Sequence, residues 1–153
     1  MSASTLTILL KIAALLHLGL LWAGASMPRA VDLRIHLATL PPFIRRLFFV
    51  YFTFIGLTVI SFGCLTFFFA RAMAEGEPLA RALCVLFTVF WTLRLIVATF
   101  IFDLRPYLTS VYRRAGYHVL NLVFIYLPVV YAIAAWKATY GVQATFYLWS
   151  PLA

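Results

Sequence analysis

Four stretches of this chain, residues 6–26, 47–70, 79–102 and 117–136, are long and apolar enough to cross a lipid bilayer. A hydrocarbon core about 30 Å thick needs about 20 apolar residues of helix. Lipid offers no partner to an open backbone N–H or C=O, so such runs satisfy their hydrogen bonds internally, as helices. Composition agrees: 65% of the 153 residues are hydrophobic and 10% charged, where soluble domains are about half apolar and a quarter charged. Disorder, collagen, a disulfide-rich secreted fold and enzymology on a soluble scaffold are all excluded. The expected fold is all-α: a polytopic membrane protein forming an antiparallel four-transmembrane-helix bundle, one domain over residues 1–153, with short interfacial segments.

The connections set direction. Arg29, Arg34, Arg45 and Arg46 lie between spans one and two, and Arg105, Arg113 and Arg114 between spans three and four. The second connection carries Arg71 and Arg81 against Glu75 and Glu77, and Lys137 follows the last span. Positive-inside bias then puts the first and third connections in the cytoplasm and both termini outside it. The net charge of +8 belongs to these flanks. It implies anionic lipid headgroups as partners rather than nucleic acid, because no basic stripe lies on a water-facing element. No basic segment precedes the first span, which is read as a retained helix rather than a cleaved leader.

Punctuation is clear in places. Gly76-Glu77-Pro78 predicts a tight hairpin between spans two and three, and Pro41-Pro42 predicts a helix start. Residues 31–37 alternate apolar and polar, predicting an irregular segment along the headgroups. Tyr140, Phe146, Tyr147 and Trp149 make 137–153 an interfacial tail. Within the second span Gly56, Gly63 and Ala70 recur every seven residues, a stripe that lets a neighbouring backbone approach. Cys64 and Cys84 fall at similar depth and are candidate neighbours, but no CxxC or Cys/His cluster supports zinc.

Titratable groups inside a bilayer cost about 3 kcal/mol by insertion scales, so each needs a reason. His17 lies near the middle of span one, with Ala13, Ala14 and Gly24 on its face, and should point into the bundle. A neutral imidazole there wants a donor, an acceptor or a metal. Arg94 lies about two-thirds of the way across span three and is also expected to aim inward. No acidic residue lies inside any span to neutralise it, and Asp103 is nine residues along the same helix. That points to an external anionic group such as a lipid phosphate, a quinone oxygen or a haem propionate. Lys11, near the outer end of its span, snorkels to water. Lys11, Trp91, His118 and Asn121 are secondary candidates, His118 and Asn121 sharing a face.

Lys11, His17, Trp22, Ala23-Gly24 and Pro28-Arg29 resemble the first helix of the bacterial membrane protoporphyrinogen oxidase family and its copper-resistance-like relatives. The likeness covers roughly the first thirty residues. It implies His17 as a ligand of haem b, hence as the metal ligand, and nothing beyond that residue. This chain departs from the family in the Lys–His spacing and in the place of the Pro-Arg pair. Three readings follow: a redox protein holding haem b or a quinone at His17 and Arg94, a non-catalytic accessory subunit, or a transporter component. A homo-oligomer or other membrane subunits would be partners in each.

Overall fold

The computed structural model of the chain describes residues 2–30, 32–101 and 110–149. Its helices are α1 (Ala3–Ala30), α2 (Leu33–Ala38), α3 (Pro42–Glu75), α4 (Pro78–Phe100) and α5 (Val111–Trp149), with no strand among the described residues. α1, α3, α4 and α5 are each long and apolar enough to cross a membrane. The chain is an all-α integral membrane protein, as its hydropathy predicts.

Helix boundaries follow local chemistry. Pro41 holds an extended backbone (φ −51°, ψ 143°) and Pro42 takes the first helical position of α3, where a missing N–H leaves no bond unmade. At the far end Gly76 adopts φ 84°, and its N–H bonds the Ala72 carbonyl at 2.9 Å. Only glycine enters that left-handed region without a Cβ penalty. Pro78 then begins α4, which closes the expected hairpin.

One expectation fails. The alternating segment is not irregular: Leu33–Ala38 forms a short helix, while Val31 lies outside the described residues. Leu33 and Leu37 are spaced for a strand face and equally for one helix face. Leu37 is buried while Ile35 and His36 are exposed, so packing of that leucine is consistent with the helical spacing. The backbone of α5 also continues through Trp149 with no break at Lys137. The aromatic side chains of the tail lie outside the described residues.

α1 packs mainly on α3, and α4 mainly on α5. Contacts between these pairs include the Tyr126 hydroxyl donating to the Leu9 carbonyl at 3.0 Å. Phe62 also meets Phe87 and Phe90 at ring separations of 4.2 and 5.0 Å. Burial is uneven along the bundle. Among the described residues of the four long helices, α1 has none buried beyond His17 and α4 none beyond Trp91. α3 has none before Val59 and α5 none before Phe124. All of these lie toward the α3–α4 turn, hereafter the turn end. The opposite end, carrying Arg45, Arg46, Arg113 and Arg114, is the arginine end.

Candidate functional site

His17 sits where the packed half stops. It is 0% exposed, as its small-residue neighbours Ala13 and Ala14 predict. Its Nδ1 lies 2.7 Å from the Ala13 carbonyl oxygen one turn back. A carbonyl only accepts, so Nδ1 carries the proton and donates, and Nε2 is left with an outward lone pair. Gly63 of α3 makes room for this ring: a Cβ built there would stand 3.0 Å from the His17 Cβ. The small-residue stripe therefore seats the histidine.

Aromatic rings enclose the imidazole. Trp91 of α4 meets it edge-on at 5.2 Å and Tyr131 of α5 at 6.4 Å. Thr66 donates its hydroxyl proton to the Phe62 carbonyl at 2.7 Å, so its oxygen accepts from the Tyr131 hydroxyl. Trp91 is 2% exposed and stacks on Phe124 at 6.0 Å. Two buried side-chain atoms here have no hydrogen-bond partner, His17 Nε2 and Trp91 Nε1. Leaving such an atom unmatched costs about 1–3 kcal/mol. One is an acceptor and the other a donor.

Haem b was the expected occupant of this atom. The donor chemistry suits it, since a metal-binding histidine commonly donates its other N–H to a carbonyl. The space does not. His17, Tyr131 and Phe87 are 0% exposed, so no gap the size of a water molecule opens onto the imidazole, and a macrocycle would enter only if the surrounding rings moved aside. No group of three His, Cys, Asp or Glu that could hold a metal occurs among the described residues.

The expectation that Arg94 shares the interior with His17 is corrected by the structure. Arg94 is exposed, with its guanidinium carbon 5.6 Å from the centre of the Phe124 ring. Trp91 and Phe124 therefore lie between the two polar groups. Lys11 is exposed. His118 is exposed beside Tyr117, with ring centres 5.6 Å apart, and Asn121 is half-buried. His118 lies six residues from Phe124 toward the arginine end, about 9 Å of helix, so it is no second axial ligand to His17. Cys64 is exposed and Cys84 buried, both as free thiols, and they do not pair. Asp103 and Arg105 lie outside the described residues. The Tyr131–Thr66 bond was missed from sequence. Both residues pass as ordinary members of an apolar run, and only their spacing from other buried positions marks them.

No protein family, curated protein or solved structure matches the chain. The likeness of its first helix to the protoporphyrinogen oxidase family therefore rests on those residues alone.

Proposed function

We propose that the protein is a non-catalytic subunit of a larger membrane assembly. The observation that supports this is the sealed centre. The buried His17 is enclosed by Trp91, Tyr131 and Gly63, which leaves no room for a substrate beside its ring among the described residues. The partner meets the outer face of α3, the span with the smallest buried share, where Phe54, Phe68 and Cys64 are exposed. Seven cations in the first and third connections of the sequence against three in the second connection and the tail favour an orientation with those two connections in the cytoplasm and both termini outside. The test is cross-linking in native membranes with a membrane-permeant thiol-to-amine reagent. Cys64 should yield one discrete adduct containing a second membrane protein or a second copy of this chain. Only uncross-linked monomer would contradict the reading.

A second reading has a specific observation behind it. The unpartnered Nε2 of His17 and N–H of Trp91 form an acceptor and donor set that haem b or a quinol hydroxyl would satisfy if Trp91 or Tyr131 moved aside. Gently solubilised protein would then show a Soret band near about 400 nm, or release a quinone on solvent extraction, and His17→Ala would abolish either. A colourless, quinone-free protein excludes it.

A further inference from the structure

Burial and bonding part company at one place in the bundle. His17 and Trp91 are sealed, yet His17 Nε2 and Trp91 Nε1 have no hydrogen-bond partner, and no other buried side-chain nitrogen or oxygen among the described residues is left so. The inward hydroxyls nearby are matched, Tyr131 with Thr66 and Tyr126 with the Leu9 carbonyl. Both rings are also held away from direct bonding. The Nδ1–H of His17 is committed to the Ala13 carbonyl at 2.7 Å, and its Cβ lies against Gly63. Trp91 is held between Phe124 and Phe90, with ring centres 6.0 and 5.3 Å away. So fixed, imidazole and indole stand 5.2 Å apart at 80° to each other, one offering an acceptor and the other a donor.

The chemistry that matches such a pair is a single hydroxyl. Its O–H donates to Nε2 while its oxygen accepts from the indole N–H. Two hydrogen bonds of about 3 Å that meet at one oxygen bridge up to about 6 Å, the order of the separation between the two rings. A carbonyl would serve Trp91 alone, and a metal on Nε2 would leave the indole N–H unmatched. The packing also indicates where a hydroxyl arrives. Phe62 of α3 and Phe90 of α4 are half-buried and meet edge-on at 5.0 Å, where two helices that are not each other's main neighbours touch. Phe90 in turn abuts Trp91. Because the imidazole is sealed at rest, these are the rings that swing to admit a guest.

We propose that His17 and Trp91 form a binding site for one hydroxyl group, reached past Phe62 and Phe90. The hydroxyl belongs to water or to a membrane-dissolved quinol, whose chemistry at the two atoms is the same. This rests on the same atoms as the redox reading but needs no redox role, and it is independent of the accessory-subunit reading. The test is nitrogen NMR of the full chain in lipid nanodiscs, with isotope-labelled histidine and tryptophan rings. Assignment by elimination uses His36→Gln, His118→Gln, Trp22→Phe, Trp136→Phe and Trp149→Phe, which keep both site residues in place. Nε2 should resonate as a bonded acceptor, and it and the indole N–H should both show transfer to one shared hydroxyl proton. A proton that exchanges with bulk water identifies water, which upholds the site and ends the redox reading. A proton lost on delipidation and restored by a short-chain quinol upholds both. Phe90→Ala should speed exchange of that hydroxyl severalfold at an unchanged chemical shift, and unaltered exchange would overturn the route. Unbonded positions for both atoms, or scalar coupling from the Trp91 N–H straight to His17 Nε2, would overturn the site. So would a Soret band, which would leave the redox reading standing with haem in place of a hydroxyl.

Discussion

At the scale of single residues, the junction of His17, Gly63, Thr66 and Tyr131 makes opposite forecasts for similar changes. Gly63→Ala drives a methyl to 3.0 Å from the His17 Cβ, with backbone behind it, and overpacking of this kind costs about 1–3 kcal/mol. Gly56→Ala adds the same methyl to open space and should gain up to about 1 kcal/mol of helix propensity. Thermal melting in one detergent ranks the two against wild type. Tyr131→Phe leaves Thr66 still bonded to the Phe62 carbonyl, so the loss should be near the 0.6 kcal/mol average, about that size, found for polar contacts in membranes. Thr66→Val strands the Tyr131 hydroxyl instead, which costs about 1–3 kcal/mol. The expected order of melting points is wild type, Tyr131→Phe, Thr66→Val, and a reversed order of the two variants would refute this account of the bond.

At the scale of elements, hydropathy reveals a helix and its caps but not what faces it. The Gly76-Glu77-Pro78 hairpin and the Pro42 start were legible because each depends on the backbone of adjacent residues. α2 was not, since Leu33 and Leu37 fit two periodicities, and only the structure shows the helical one with Leu37 buried. Orientation was legible where small residues crowd a polar one, as Ala13 and Ala14 do beside His17. It was misjudged at Arg94, which is exposed although Phe87, seven residues back on nearly the same face, is buried. The two cysteines show the same limit, because equal depth says nothing of which face each occupies. Their exposures differ, with Cys64 outward and Cys84 buried. N-ethylmaleimide should therefore modify Cys64 in the folded protein and reach Cys84 only after denaturation, as peptide mass spectrometry would read.

At the scale of the whole molecule, an uneven interior implies uneven stability. Segments with few buried contacts open first. In detergent, hydrogen exchange should reach residues 18–30 of α1 and 42–58 of α3 well before residues 6–17 and 59–75, and uniform protection would argue against this uneven burial. The tight link at Gly76 and Glu77 carries a consequence for biosynthesis. Two residues span at most about 7 Å, so neither neighbouring span has slack in which to wait for the other. The tip holds Arg71 and Arg81 against Glu75 and Glu77, with Arg71 and Glu75 joined at 2.7 Å, so it drags little net charge through the translocation machinery. α3 and α4 would leave the ribosome as a single insertion cargo, and a long polar spacer placed at that tip should let the first of them enter alone.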